Sequence, residues 1–275
     1  MKARFIIGLL LAIIALQAVF LFRCAGGKDN TSGEIKARSK KIEPVSSPSI
    51  KKEYKYKVAI IIDDWGYSLN NMALLEKILQ PLTLAVLPNL PYSREVSLRA
   101  QGLNKEVILH LPLEPYKSKE LGLEQNTIMT AMSEQKMASI LNDDLDGLID
   151  AQGASNHMGS KFTRDKKAVG VIFKVLKQRG LFFVDSLTSR SVCRKVARQS
   201  GVSFVARDVF LDNKLDAEYI ERQLQRLIKK AKSRGWAVGI GHDRRITLET
   251  LQRMLPQIEK DEEGLGFVFV RELVE

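Results

Sequence analysis

The stretch Tyr56-Lys57-Val58-Ala59-Ile60-Ile61-Ile62-Asp63-Asp64-Trp65-Gly66 sets an unbroken apolar run directly against two carboxylates. A strand without polar alternation is covered on both faces, which is the habit of parallel sheets flanked by helices. Its abrupt polar end lies where parallel α/β proteins collect their chemistry, at the carboxyl ends of the strands. No glycine-rich phosphate loop follows, so a nucleotide-binding first turn is not expected.

The same alternation continues downstream. Strands are predicted at Leu82–Leu87, Glu106–Leu111, Gly153–Met158, Leu181–Val184, Ser203–Ala206, Trp236–Ile240 and Phe267–Val270. Helical spacing of apolar residues predicts helices over Leu69–Leu79, Tyr92–Gln101, Glu134–Leu148 and Asp165–Gln178, and near 189–199, 216–233 and 247–260. Ser133 is the expected N-cap of the third and Gly180 the stop of the fourth. Seven or eight such units over residues 54–275 point to one α/β domain, a closed or nearly closed β/α barrel. A doubly wound open sheet is the alternative.

The amino-terminal fifth is different. Lys2 and Arg4 precede Phe5–Phe22, an apolar run interrupted by Gln17. As a helix it would span about 27 Å, enough for a bilayer core. Residues 1–24 are therefore read as a single-pass membrane anchor or a signal segment. The first cations favour a body on the exported side of the cytoplasmic membrane, secreted if residues 1–26 are cleaved. Residues 25–53 are rich in Lys, Ser, Gly and Pro and lack apolar periodicity, which makes a flexible basic linker. Residues 1–53 carry ten Lys/Arg against four Asp/Glu, over half of the chain's net +11. No aromatic residues interleave the lysines for base stacking, so no nucleic-acid partner is expected. Across the 275 residues, 45% hydrophobic and 27% charged content excludes a disordered chain. The two cysteines, Cys24 and Cys193, cannot build a disulfide scaffold or a thiolate zinc site.

All three histidines, His110, His157 and His242, fall at predicted strand ends. Of Asp63 and Asp64, one can hold a cation while the other faces substrate; a turn is the ordinary use of such a pair, but two carboxylates ending a buried strand need a partner. His110, with Glu114 four residues on, and His157 extend the candidate metal set. His242, after Gly239-Ile240-Gly241, suits a general acid. Asp185 and Asp208 are candidates to orient the acid or base and Arg207 to clamp an anion, or the three form a structural ion pair. Trp65 and Asn156, next to the carboxylates and His157, join Arg207 and Asp208 as candidate substrate contacts. A thiolate-free Asp/His set implies metal-assisted hydrolysis with a divalent ion, zinc first.

The series Ile61-Ile62-Asp63-Asp64-Trp65-Gly66, Leu109-His110-Leu111-Pro112-Leu113-Glu114-Pro115, Asn156-His157-Met158-Gly159-Ser160, Phe183-Val184-Asp185-Ser186, Ala206-Arg207-Asp208-Val209-Phe210-Leu211-Asp212 and Ile240-Gly241-His242 resembles the divergent polysaccharide deacetylases, distant relatives of the NodB-type carbohydrate esterases. The resemblance covers residues 56–272. It implies a distorted β/α barrel and metal-dependent removal of acetyl groups from a polysaccharide such as peptidoglycan. It also implies Asp63 as catalytic base, Asp64 and His110 as metal ligands and His242 as general acid. Glu114 stands where that family carries a second metal histidine, a place His157 is able to fill. The alternative on the same fold is a catalytically inactive glycan-binding or envelope-assembly protein.

Overall fold

The computed structural model describes residues 53–275; the anchor expected at 1–24 and nearly all of the linker at 25–53 lie outside the described residues. Among the described residues no helix is long and apolar enough to cross a membrane. In chain order the elements are β1 (Tyr56–Trp65), α1 (Met72–Leu75), β2 (Thr83–Val86), α2 (Ser93–Gly102), β3 (Glu106–Leu113), α3 (Glu134–Asp146), β4 (Gly153–Met158), α4 (Lys166–Arg179), β5 (Phe182–Asp185), α5 (Cys193–Ser200), β6 (Phe204–Ala206), β7 (Val209–Phe210), α6 (Ala217–Arg234), β8 (Trp236–His242), α7 (Arg245–Asp261) and β9 (Leu265–Val268).

All pairings between these strands are parallel, in the order β6-β5-β4-β3-β2-β1-β8-β7, with β9 against the first half of β1. The fold is thus a distorted β/α barrel of eight strands plus β9. Its ends, β6 and β7, are consecutive in sequence and separated only by Arg207-Asp208. The ring is closed there by the covalent chain instead of by a ladder. The strand β7 is absent from the sequence expectation, because two residues carry no periodic signal.

Period-two alternation divides each strand between two cores. Val58, Ile60 and Ile62 face the helices, in the same buried cluster as Leu224, Leu248 and Ile172. Ala59, Ile61, Ala85, Ile108, Val184, Val205, Val238 and Ile240 form a second cluster inside the barrel. Val270 and Leu273 of the carboxyl-terminal segment join that inner cluster. The segment binds the starts of three strands: the Val270 N–H donates to Thr83 Oγ1, Arg271 Nε lies 3.5 Å from Glu106, and Glu275 pairs its backbone with Phe204. The barrel is plugged at its amino end, leaving the carboxyl end of the strands for the site.

The helix signals hold where a cap and a stripe coincide. Ser133 Oγ accepts from the Lys136 N–H, Asp165 Oδ1 accepts from Lys167 and Ala168, and Gly180 ends α4 at φ +69°. Leu69–Leu79, predicted as one helix, is helical only over Met72–Leu75, and Leu79 is 86% exposed. Buried Lys105 explains the difference. Its Nζ donates to the carbonyls of Ile78 and Gln80 at 2.6 and 2.8 Å, satisfying them outside a helix.

Candidate active site

The inward parity of β1, Ala59 and Ile61, brings Asp63 to the top of the barrel. Regular alternation would turn Asp64 outward. Instead the β1–β2 register shifts between Ile62 and Trp65, and Asp64 sits at φ +66°. This bulge inserts one residue, so both aspartates face the site and the phase beyond it is reversed. Trp65 therefore joins the outer core at 0% exposure. It has no surface to offer a substrate, which corrects the expectation of a substrate contact.

His110 on β3 and His157 on β4 share the inward parity of Ile108 and Gly153, and their rings meet edge to face at 5.0 Å. Asp64 Oδ1 lies 3.3 Å from His110 Nε2 and 3.2 Å from His157 Nδ1. One donor atom from each of the three residues falls within 4.8 Å of the others, forming a candidate metal site. Asp63 Oδ2 lies 3.6 Å from His110 Nε2. On its far side His110 Nδ1 is 2.8 Å from Ser155 Oγ, which fixes the ring.

The electrostatics follow from crowding. Burial raises the Asp63 carboxyl above the usual range; His110 lowers it in part and the charge of Asp64 adds to the rise. Asp64 is also penalised by burial, but its bonds to His110 and His157 win and hold it well below the ordinary carboxylate range. Burial opposes charge on His110, yet Asp63 and Asp64 raise it overall. Asp63 Oδ1 and His157 Nε2 are buried without a hydrogen-bond partner. Such orphans are costly unless a guest satisfies them. Two imidazoles and a carboxylate, with no thiolate, fit a divalent ion that keeps positions open for chemistry.

On the neighbouring strand, His242 of β8 is the register partner of Asp63 on β1. His242 Nδ1 is 2.7 Å from Asp212 Oδ1, and its backbone N–H donates to Asp212 Oδ2 at 2.8 Å. Thr247 Oγ1 donates to the same Oδ2, and Arg244 to the Asp212 carbonyl. Burial alone would lower the His242 pKa, but Asp212, with Asp63 and Asp64 behind it, raises it. Phe210 stacks on the imidazole at 6.0 Å. Asp212 was not singled out from the sequence. Its signal was there, an acid ending the apolar Val209–Leu211 run, but the brevity of β7 hid the strand end.

The remaining expected residues lie elsewhere. Glu114 is not with the cluster: its Oε2 accepts from Thr130 N and Oγ1 at 2.8 and 2.6 Å, and its Oε1 from Lys161 Nζ at 2.7 Å. Those partners occupy both oxygens, which corrects the metal-ligand expectation. Asp185 follows Phe183 on the outward parity of β5, beside Cys193 and Ser191, and its Oδ1 caps the Leu187 N–H. It touches neither Asp63 nor a histidine, so an orienting role in catalysis is corrected to a structural one. Asn156 spends its amide on Met158 O and Ser186 N, tying β4 to β5. Asp208 is turned to β8, where it binds the Val238 N–H and Arg234. Neither is free for substrate. Arg207 donates to the carbonyls of Ser186 and Leu187 and lies 3.6 Å over the Phe210 ring. Its guanidinium is held by the fold, with Asp185 and Asp208 as the charges that act on it most.

Comparison with known proteins shows the family and the fold. Residues 60–274 match the sequence pattern of the divergent polysaccharide deacetylases. The uncharacterized protein YibQ of Escherichia coli K12 is 32% identical over 206 residues, 74% of this chain and 64% of the relative's length. The chain thus spans just under two thirds of that relative. A Haemophilus influenzae protein is 31% identical over 211 residues, 76% of this chain and 75% of its own. In structure, the protein ATU2773 of Agrobacterium tumefaciens C58 aligns with TM-score 0.77 at 21% identity, over 81% of this chain and 91% of that one, a likeness of fold. With four fifths of its length matched and its strand-end carboxylates and histidines converging, the chain belongs to the divergent polysaccharide deacetylase family.

Proposed function

We propose that the protein is a metal-dependent hydrolase that removes acetyl groups from an envelope polysaccharide such as peptidoglycan. The observation that carries this reading is the convergence of Asp64, His110 and His157 beside Asp63, with the Asp212–His242 pair on the strand next to Asp63. The three ligands would hold a divalent ion, zinc first given two imidazoles and one carboxylate. Such an ion, when bound, supplies Lewis acidity toward the acyl oxygen.

The chain's own residues do the rest. Asp63, with one buried oxygen unpartnered and a pKa raised by burial, takes the proton of the attacking water. His242, held at Nδ1 by Asp212, presents Nε2 and protonates the departing nitrogen or oxygen. Ser155 keeps the His110 ring from turning. The sequence supports a body held on the exported side of the cytoplasmic membrane by residues 1–24 and a 25–53 tether.

The test is metal content and acetate release by the purified full chain. Stoichiometric zinc lost in His110→Ala and His157→Ala, with acetate release lost in Asp63→Ala while zinc is retained, is the expected result. Zinc binding without acetate release from any acetylated glycan would replace the hydrolase by a glycan-binding protein on the same barrel.

A further inference from the structure

Charge is not spread evenly over the domain. Residues 161–206, from the turn after β4 to the end of β6, hold eleven Lys/Arg against Asp165 and Asp185 alone, a net +9. The remainder of residues 54–275 holds 22 Lys/Arg against 26 Asp/Glu, a net −4. Both acids of the basic stretch are already engaged, for Asp165 caps α4 and Asp185 is buried. Lys161, Lys167 and Arg179 reach Glu114, Glu134 and Asp146 on other elements. Lys174, Lys177, Arg190, Arg194, Lys195 and Arg198 are exposed and, among the described residues, have no carboxylate partner. Crowded like charges repel one another, so this face gains nothing in folding and suits an anionic partner.

The six cations share one side of the barrel. The crossover helices into β5 and β6, α4 and α5, pack side by side. Near the end of α4, Lys177 Nζ donates at 2.6 Å to the carbonyl of Gly201, which closes α5. Two clefts meet at Gly201-Val202-Ser203, one of about 340 Å³ lined by Arg194 and Arg198, the other of about 290 Å³ lined by Lys177 and Arg271. Glu275 is the one acid on either. Leu181 and Ser203 lead into β5 and β6, so the clefts lie at the amino ends of the strands, away from Asp64, His110 and His157. The chain enters β1 at that same end, following the tether read at residues 25–53, which carries seven Lys/Arg against four Asp/Glu.

We propose that the α4–α5 face is a docking surface for anionic phospholipid headgroups, with the clefts at Gly201–Ser203 taking headgroup phosphates. Charge complementarity sets the chemistry of the partner. Position selects the lipid: a basic face beside a basic tether follows the pattern of segments drawn to anionic leaflets, and contact at the amino ends leaves the carboxyl-end site turned from the bilayer. The face exposes no aromatic ring, so nucleic-acid bases have nothing to stack on. The inference does not use the hydrolase reading; it rests on the anchor read at residues 1–24.

The test is lysine acetylation of the full chain in nanodiscs of phosphatidylcholine, alone or mixed with phosphatidylglycerol, read residue by residue by peptide mass spectrometry. With phosphatidylglycerol, Lys174, Lys177 and Lys195 should react about fivefold more slowly, and high salt should restore them. Lys117 and Lys214, on loops at the carboxyl ends of β3 and β7, should not change. Arg190→Glu combined with Arg198→Glu should remove the lipid effect and keep the wild-type melting temperature, since both side chains are exposed. Equal rates in the two lipids, slowing that spreads to Lys117 and Lys214, or slowing that survives the charge reversal would overturn the face. Slowing by soluble polyphosphate but not by phosphatidylglycerol would overturn the lipid as its partner. Co-elution with phosphatidylcholine discs without a phosphatidylglycerol effect keeps the anchor and removes the face. A phosphatidylglycerol effect without co-elution in phosphatidylcholine keeps the face and removes the anchor.

Discussion

Asp212 grips His242 twice, through the ring Nδ1 at 2.7 Å and through the backbone N–H at 2.8 Å. The double contact fixes both the rotamer and the tautomer of the imidazole. Burial works against an ionised Asp212, but its bonds to His242 and Thr247 bring it below the ordinary range. His242 is raised. The signs define a window. A depressed acid adds stability above its unfolded pKa, lost as pH falls through the folded one; a raised histidine adds stability below its unfolded pKa, lost as pH rises through the folded one. Both contributions are full between about pH 4 and pH 6.5. Asp212→Asn should lower the melting temperature most in that window and move the His242 titration, followed by NMR, toward about 6.5. The alkaline limb of kcat should move to lower pH, with kcat reduced about 10²-fold.

Ser155 supports a metal ligand without being one. Removing its hydroxyl in Ser155→Ala leaves the His110 Nδ1 without its 2.8 Å partner. Zinc affinity should fall about 10–100-fold with the fold intact. Competition with a chromogenic chelator measures the first and circular dichroism the second; unchanged affinity would remove Ser155 from the site's support.

The left-handed backbone of Asp64 makes two substitutions diverge. Asn is tolerated at φ +66°, so Asp64→Asn should leave the backbone unstrained and lose only the carboxylate's pairing with His110 and His157, while reducing metal binding. Asp64→Ala should add about 1 kcal/mol of strain to the same loss. Urea titration of both variants separates backbone from ligand.

Glu114 gives the contrasting result. Burial would raise its carboxyl, but Lys161 and Thr130 lower it. Glu114→Ala should cost about 1–3 kcal/mol of stability by stranding those partners. Zinc content, read by mass spectrometry of metals, should stay at the wild-type level, which a ligand could not do.

The barrel was legible because Val58–Ile62 and its counterparts are uniformly apolar, and because Ser133, Asp165 and Gly180 stand where helices must start and stop. The histidines were legible through their coincidence at strand ends. Trp65, Asp185, Asp208 and Asn156 were not, since strand-end position says nothing about which face a side chain takes. A bulge in β1 sends Trp65 to the helices, and an ordinary odd-even count sends Asp185 outward. The partnership of Glu114 with Thr130 and Lys161 joins residues 16 and 47 positions away, beyond the reach of any local motif.

The two-residue seam Arg207-Asp208 turns the last third of the barrel into a matter of reading phase. Inward positions are odd before it, at Val205, and even after it, at Phe210. Simple alternation counted from Val205 would turn Phe210 and Asp212 to the opposite side, away from His242; the phase slip at the join is what keeps both on the site. The acid of this site therefore depends on the count of a connection that supplies no reacting group.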